Sequence, residues 1–316
     1  MKTFRNYLKS WQNGVLSLCL LAGSTSATAK TYSDLWIFGD SFSDNGSVSE
    51  ILPLLKAFDA PALPENGKLT DDKLWVEFFA KELGHPSRAE TFWKYSSNNP
   101  GNFSMIAASS SEDQFTIMDF PEQIDAFVQA HQRFGDEDLV VVQMGTNDAL
   151  EAMKIFGRLN DTFGDEAAFT KGQEYIDTKM KSYREMLQRL KALGAKNFMV
   201  INSPNLGRAP FAKIRNISEL ADNYSRYLNA KIAQQVRTLS NVTVTIFDLY
   251  AKLEQVLGDL SAFGLSQNLI TDKPCGFRGE NGVKCTNPKR FFYYDLNHPT
   301  TQVNKLIANE AIKALP

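Results

Sequence analysis

Histidine is the side chain that most readily acts as a general base near neutral pH, and the chain has three histidines. His85 precedes a proline at a predicted helix end and His131 lies late in an amphipathic helix, so we expect both at the surface. His298 follows Asp295 by three positions, and residues three apart face the same side of one turn. The carboxylate can hold one ring nitrogen and leave the other free as a base. The alternative is an aspartate that only caps the following helix.

A serine that this base could activate stands at the end of the first apolar segment. Leu35–Gly39 is followed by Asp40 and Ser41, and Gly39 is expected to let the chain turn sharply. Backbone amides at such a turn can stabilise an alkoxide or an oxyanion. The alternatives are a serine that only forms a turn or caps a helix, and a metal site built on Asp40 and Asp44. The metal site lacks further carboxylates at suitable spacing.

A second polar segment, Gly145-Thr-Asn147-Asp, follows the strongest strand signal in the sequence, Leu139–Met144. The side-chain amide of Asn147 can donate to a developing oxyanion, which is worth about 3 kcal/mol of transition-state stabilisation for one such donor. Gly and Asn also favour an Asx turn that has no catalytic role. The occurrence of Asn147 and Ser41 at successive strand ends favours the catalytic interpretation.

Apolar segments that alternate with amphipathic helices must position these side chains. The predicted strands are Asp34–Phe38, Phe103–Ala108, Leu139–Met144, Asn197–Ile201 and Val242–Phe247, and the predicted helices are 71–83, 121–133, 171–193, 218–239 and 301–314. This alternation predicts a parallel sheet covered by helices on both faces, with its chemistry beyond the carboxyl ends of the strands. Because the sequence has no internal repeat and no low-complexity linker, we expect residues 30–316 to form a single domain.

Charge and the N-terminus narrow the class of protein further. The chain has 316 residues and a formal net charge of −2, which excludes a nucleic-acid binder that depends on a basic surface. Three basic residues precede the apolar run Val15–Ala22 and the small residues Ala27-Thr-Ala29. This pattern predicts a secretory signal over residues 1–29, with a buried N-terminal helix as the alternative. The apolar run is too short for a membrane span, so we expect a secreted protein with no transmembrane segment.

Two cysteines remain after this signal, Cys275 and Cys285. In an exported protein a cysteine pair predicts a disulfide. The alternative is half of a zinc site, but two cysteines ten residues apart with no nearby histidine are a poor ligand set. The sequence contains no glycine-rich dinucleotide motif after a strand, no phosphate loop and no paired metal histidines. We therefore expect no cofactor and no metal.

These segments together resemble the GDSL, or SGNH, hydrolase family. Gly39–Gly46 resembles the first block of the family, Gly145–Asp148 the third and Asp295–Pro299 the last, and Ser203–Gly207 is similar to a further block of secreted members. The resemblance extends from residue 34 to residue 314. It implies a flavodoxin-like α/β fold, a three-layer α/β/α sandwich with a central parallel sheet, and ester hydrolysis through an acyl-enzyme.

The resemblance also implies a role for each matching position. Ser41 would be the nucleophile, His298 the general base and then acid, and Asp295 the residue that orients His298. The oxyanion donors would be the backbone N–H of Ser41, the side chain of Asn147 and a backbone N–H from the second block. In that block Ala107 stands where the family usually has a glycine. Alanine can supply the N–H group, provided that its backbone angle is not one that only glycine adopts.

The short cysteine-closed loop before the last block resembles that of secreted bacterial phospholipase A, lysophospholipase A and glycerophospholipid–cholesterol acyltransferase enzymes. Some of these are activated by proteolysis within the loop, so an activating protease is an expected partner. The resemblance implies a bacterial secreted esterase that acts on (lyso)phospholipids at a membrane or micelle surface, with acyl transfer to an alcohol such as a sterol as a second outcome. The alternatives are a carbohydrate or short-chain ester deacetylase and a non-catalytic binding module.

An aromatic segment lies between this loop and Asp295. Phe291-Phe-Tyr-Tyr294 is predicted to be a buried strand, and the alternative is that it lines an acyl-chain groove, because ligand pockets are mostly apolar. In the second case the other wall of the groove would be formed by Leu52, Leu54, Leu55 and Phe58.

Overall fold

Four parallel strands form the central sheet, in the order β1-β2-β3-β4. The strands are β1 (Leu35–Gly39), β2 (Leu139–Gln143), β3 (Asn197–Ile201) and β4 (Thr243–Phe247). Every residue of β1, β2 and β3 is buried, as expected for apolar strands covered on both faces. The strands pair without a register shift, so the last residue of each strand lies beside the last residue of its neighbour. The four carboxyl ends therefore meet at one edge of the sheet.

The computed structural model describes residues 31–47, 67–94, 100–112, 118–276 and 285–316. The predicted secretory signal, the predicted groove wall from Leu52 to Phe58 and residues 277–284 of the cysteine loop lie outside the described residues.

The helices pack on the sheet in two groups. The described α-helices are α1 (Trp75–Glu82), α2 (Phe120–His131), α3 (Thr146–Phe163), α4 (Asp165–Ala192), α5 (Pro210–Ile214), α6 (Ser218–Val236), α7 (Leu249–Gly258) and α8 (Thr301–Ala314). Helix α1 packs against α8, whereas α4 packs against α2, α3 and α6. With the sheet between them, these helices form the predicted α/β sandwich. No helix within the described ranges is long and apolar enough to span a bilayer.

The sequence pattern missed helix α3, although this helix carries Asn147. Its buried side contains Asp148, Ala149, Ala152 and Met153, so it lacks the stripe of large apolar residues that indicates a helix. The helix follows Gly145, whose φ of +116° is in the region that favours glycine.

The predicted strand over Phe103–Ala108 is wrong in its position. The chain does run beside β1 here, since the N–H of Ile37 donates to the carbonyl of Gly101 at 2.9 Å and the N–H of Phe103 donates to the carbonyl of Ile37 at 2.8 Å. The segment makes only an isolated bridge at Asn102, and it turns away from the sheet after residue 105. Burial of its apolar side chains gives a strand-like sequence without a regular strand.

Two short strands precede the last polar block. Strand β5 (Ile270–Pro274) pairs in parallel with β6 (Phe291–Tyr293), which confirms the predicted strand in the aromatic segment. The central and last residues of β6 are buried. Cys275 and Cys285 form the predicted disulfide, with their Cα atoms 4.9 Å apart.

Candidate active site

Ser41, His298 and Asp295 form a continuous chain of contacts at the carboxyl edge of the sheet. Oγ of Ser41 lies 2.9 Å from Nε2 of His298, although the two residues are 257 positions apart. Nδ1 of His298 lies 2.9 Å from each carboxylate oxygen of Asp295. The structure thus brings together the three residues that the sequence predicts as a catalytic group. The hydrogen-bonding geometry is that of a hydroxyl, a base and a carboxylate that orients the base.

Asp295 also shapes the backbone that carries the histidine. Its Oδ1 accepts the N–H groups of Asn297 at 2.8 Å and His298 at 2.7 Å. Burial acts to raise the pKa of Asp295, but the charge of His298 and these hydrogen bonds outweigh it, so the pKa lies below its usual range. Thr300, not Asp295, is the N-cap of α8, so the interpretation of Asp295 as only a helix cap is wrong.

The segment after His298 is fixed by residues distant in sequence. The hydroxyl of Thr70 donates to the carbonyl of Pro299 at 3.0 Å, and the side-chain amide of Asn304 on α8 donates to the same carbonyl at 3.1 Å. On the other side, the N–H of Tyr294 donates to the carbonyl of His298 at 2.8 Å. The histidine backbone is therefore held from both sides, which limits the positions that its ring can take.

The end of β1, which presents Ser41, is held by a buried glutamine. Oε1 of Gln123 on α2 accepts the N–H of Gly39 at 3.0 Å, and its Nε2 donates to the carbonyl of Gly39 at 2.9 Å. Further along, the side-chain amide of Asn102 donates to the carbonyl of Ser43 at 2.7 Å. Neither Gln123 nor Asn102 is predicted from the sequence to have this role. A polar residue on the apolar face of a helix was the only signal for Gln123.

Gly39 is required for a different reason from the one predicted. Its backbone is outside the left-handed region, so the turn itself does not need glycine. A Cβ atom at this position would lie 2.9 Å from the carbonyl oxygen of Gln143 and 2.9 Å from Oγ of Ser104. Close packing between β1 and its two neighbouring segments therefore excludes a larger side chain.

Asp40 and Asp44, which raised the possibility of a metal site, both bind the local backbone. Asp40 accepts the N–H of Phe42 at 3.0 Å, and Asp44 accepts the N–H groups of Ser47 at 2.7 Å and Ile106 at 2.8 Å. Burial raises the pKa of both carboxyls to about 6. Within the described parts of the chain, no three His, Cys, Asp or Glu side chains converge as metal ligands.

Ala107 is the one exposed residue in the turn formed by residues 106–111, where Ile106 and Ser111 are half-buried and residues 108–110 are buried. We call this segment the 106–111 turn. The φ of Ala107 is +64°, in the left-handed region where alanine is disfavoured but not excluded. The backbone angle of Ala107 is therefore one that alanine can adopt, as its predicted role requires, but at a cost in free energy.

The N–H of Ala107 differs from that of its neighbours in the 106–111 turn. The N–H of Ile106 donates to Asp44, that of Ala108 to the carbonyl of Met105 at 3.2 Å, and that of Ser109 to Asp119 at 2.7 Å. By contrast, the N–H of Ala107 donates to no group in the described ranges. An exposed, unused N–H group at the carboxyl edge of the sheet is suited to bind a developing oxyanion.

Asn147 connects helix α3 to this turn. It is the second residue of α3, and its Nδ2 donates to the carbonyl of Ala108 at 2.8 Å. The alternative interpretation of Asn147 as a local Asx turn is wrong, because no N–H group of the described residues donates to its Oδ1, and its Nδ2 bonds to a segment 39 residues away. The amide nitrogen has a second hydrogen, so it can hold the turn and still donate to a ligand.

This arrangement can perform acyl transfer. The histidine can remove the proton from the serine hydroxyl as it attacks a carbonyl carbon, and the carboxylate stabilises the resulting imidazolium. Donors fixed beside the hydroxyl would act on the oxygen that becomes negative.

Comparisons with known proteins agree with this chemistry. The family model of the GDSL-like lipases and acylhydrolases matches residues 35–311. A GDSL esterase/lipase of Arabidopsis thaliana is 22% identical over 326 residues, covering 88% of each chain. A phosphatidylcholine-sterol acyltransferase of Aeromonas hydrophila is 24% identical over 274 residues, covering 85% of this chain and 72% of the other.

Among solved structures, a catalytic mutant of an acetylxylan esterase from Geobacillus stearothermophilus aligns with a TM-score of 0.46 and 14% identity, covering 90% of this chain and 95% of the other. The family match spans most of the sequence, including both ends of the Ser41–His298 contact. The chain therefore belongs to the GDSL-like lipase/acylhydrolase family and is a hydrolase that acts on esters.

Proposed function

We propose that this protein is a serine esterase that releases fatty acids from lysophospholipids and phospholipids. The observation that carries the proposal is the contact of 2.9 Å between Oγ of Ser41 and Nε2 of His298, supported by Asp295. A serine hydroxyl aligned with an imidazole in this way has the geometry of an activated nucleophile.

Each proposed step uses one of these groups. His298 takes the proton of Ser41 while Oγ attacks the ester carbonyl, and the negative charge develops on the carbonyl oxygen. The N–H groups of Ser41 and Ala107 and the amide of Asn147 bind that oxygen. His298 then gives its proton to the departing alcohol, which leaves an acyl-serine, and a water activated by His298 hydrolyses this ester.

The lipid class is supported by similarity and by the position of the disulfide. The Aeromonas hydrophila relative is named for a reaction of phosphatidylcholine, and it covers 85% of this chain. In this protein the N–H of Gly276, next to Cys275, donates to the carbonyl of Tyr294 at 3.0 Å. Tyr294 directly precedes Asp295, so the cysteine loop starts beside the proposed site.

Acyl transfer, secretion and proteolytic activation belong to the same proposal. Any hydroxyl bound in place of water can take the acyl group, so a sterol in the lipid surface would give a steryl ester. Cleavage between Cys275 and Cys285 would leave the two ends joined by the disulfide and would open access to the site beside His298. If intact and nicked protein are equally active, this part of the proposal fails.

The test is fatty-acid release from lysophosphatidylcholine micelles by the mature protein, before and after cleavage in the loop. Ser41→Ala is the inactive variant, and Ser87→Ala, at an exposed position, is the matched control. We expect wild type and Ser87→Ala to release fatty acid at the same rate. We expect Ser41→Ala to lose at least about 1,000-fold, because the nucleophile is absent.

Parallel reactions separate the alternatives. Faster turnover of p-nitrophenyl acetate or of acetylated xylo-oligosaccharide than of any long-chain ester would replace the lipid substrate with a short acyl ester. Mixed micelles that contain cholesterol would reveal acyl transfer as steryl ester. No reaction of Ser41 with an organophosphonate would indicate a binding module and reject the enzyme mechanism altogether.

A further inference from the structure

Three charged side chains are buried beneath the 106–111 turn. Asp119 and Asp148 are each 0% exposed, and Lys179 on α4 is 7% exposed. None of them belongs to the proposed serine, histidine and aspartate group. Burying a lysine costs free energy unless the ammonium finds acceptors and a counter-charge. The groups that Lys179 contacts therefore indicate the role of the buried lysine and the two aspartates.

Lys179 binds Ser109 and Ser111 in the second half of the turn. Its Nζ donates to Oγ of Ser109 at 3.3 Å and to the carbonyl of Ser111 at 3.3 Å. Oγ of Ser109 in turn donates to the carbonyl of Ser111 at 2.5 Å. The ammonium of Lys179 thus links Ser109 to Ser111. The two aspartates contact the same turn.

The aspartates hold Ser109 and Ser110. Asp119 accepts the N–H of Ser109 at 2.7 Å, and Asp148 accepts Oγ of Ser110 at 2.5 Å and its N–H at 3.3 Å. Asp148 directly follows Asn147, so one helix end supplies both a turn contact and the neighbouring amide. Together these contacts leave the turn little freedom to relax the left-handed backbone of Ala107.

We propose that Lys179 is a positioning residue, which, with Asp119 and Asp148, holds the 106–111 turn in the conformation that directs the N–H of Ala107 toward the oxyanion. This inference rests on the proposed function, because it assumes that the Ala107 N–H binds the transition state. Lys179 contacts neither the substrate nor Ser41, and it acts only through the turn. Its loss should therefore weaken transition-state binding more than substrate binding.

The test compares Lys179→Met with Lys181→Met, an exposed lysine two residues along the same helix. The substrate is a soluble p-nitrophenyl ester at pH 8, so the result does not depend on lipid preference. We expect Lys179→Met to lower kcat at least about 10-fold, because removing an oxyanion donor outright costs about 100- to 1,000-fold. We expect its KM to stay within about 2-fold of wild type and Lys181→Met to match wild type in both constants.

A double variant connects the effect to the turn. Glycine adopts the left-handed conformation without penalty, so Lys179→Met combined with Ala107→Gly should recover part of the lost kcat, measured against Ala107→Gly alone. Because Ala107→Gly is also expected to stabilise the fold, all four proteins are compared under conditions in which circular dichroism shows each of them fully folded, so that recovery of kcat reports on the turn and not on global stability. If Lys179→Met does not fold, Lys179→Gln replaces it: the glutamine amide is neutral and one bond nearer the backbone than Nζ, so the contacts with Ser109 and Ser111 are lost and the same fall and recovery of kcat are expected.

The inference is overturned if the folded Lys179 variant keeps a kcat within about 2-fold of Lys181→Met, or if the glycine at position 107 gives no recovery. The proposed function fails separately, if Ser41→Ala hydrolyses the same ester at the wild-type rate. Activity that requires Ser41 but ignores Lys179 would therefore reject the positioning role and leave the esterase intact.

Discussion

Ala107 holds a left-handed backbone conformation, with φ at +64°, in the 106–111 turn. Alanine has this conformation only at a cost, because its Cβ approaches the backbone too closely. The N–H groups of Ile106 and Ser109 are fixed by buried carboxylates, and the amide of Asn147 fixes the carbonyl of Ala108. Local contacts therefore maintain a geometry that the residue itself disfavours.

Ala107→Gly is expected to raise the free energy of unfolding by about 1 kcal/mol, because it removes this strain. Urea unfolding of the purified variant and of wild type measures the difference. Ala167→Gly is the matched control: it is exposed within helix α4, and there glycine should lower the free energy of unfolding by about 1 kcal/mol. Destabilisation by both glycines would show that Ala107 is not strained.

One side chain of helix α2 makes two hydrogen bonds to the end of strand β1. Gln123 satisfies both the N–H and the carbonyl of Gly39, two residues before Ser41. The carbonyl of Gly39 also accepts the N–H of Met105 at 3.1 Å. The N–H of Gly39, by contrast, has no acceptor among the described residues besides Gln123. The position of the strand end therefore depends on the helix that packs over it.

Gln123→Leu is expected to lower the free energy of unfolding by about 2 kcal/mol, because a buried N–H of Gly39 loses its acceptor. The change should also lower kcat for ester hydrolysis, since Ser41 follows the loosened segment. Urea unfolding and steady-state kinetics measure the two effects. Gln129→Leu, exposed on the same helix, should stay within about 0.5 kcal/mol of wild type. Equal effects of the two substitutions would argue against the coupling.

In the described parts of the molecule, three buried carboxyls with raised pKa lie near the carboxyl edge of the sheet. Burial raises the pKa of Asp40 and Asp44 to about 6 and that of Asp148 to about 7. Each of these groups binds its proton more tightly in the folded protein than in the unfolded chain. The stability that they contribute is therefore fully present below about pH 4 and is lost as the pH rises toward 7.

Asp148→Asn should make stability less dependent on pH. Between pH 5 and pH 8 the free energy of unfolding of wild type is expected to fall by about 2 kcal/mol more than that of the variant, because one pKa unit corresponds to about 1.4 kcal/mol. Urea unfolding at the two pH values measures this difference. Asp161→Asn, at an exposed position on the same helix, is the control and should follow wild type. If both variants lose the same stability as wild type, ionisation of Asp148 carries no cost.

Much of the sheet and the proposed catalytic group could be predicted from the sequence. Strand β3 has the predicted limits, and α8 begins and ends where the apolar periodicity indicated. Ser41 and the Asp295–His298 pair could be identified because their signals are local: a polar residue at a strand end and two residues one turn apart. The disulfide could be predicted because its two cysteines are only ten residues apart in the sequence.

Only the tertiary structure decided what holds these residues in place. Gln123, Asn102 and Lys179 bind segments that are 59 to 84 residues away, and no spacing rule connects residues so distant. The left-handed backbone of Ala107 and the close packing around Gly39 are likewise properties of the folded chain. The sequence by itself determined which groups can react, because reactivity depends on residue type and local spacing. Folding decided their geometry, because hydrogen bonds and packing depend on contacts between distant segments.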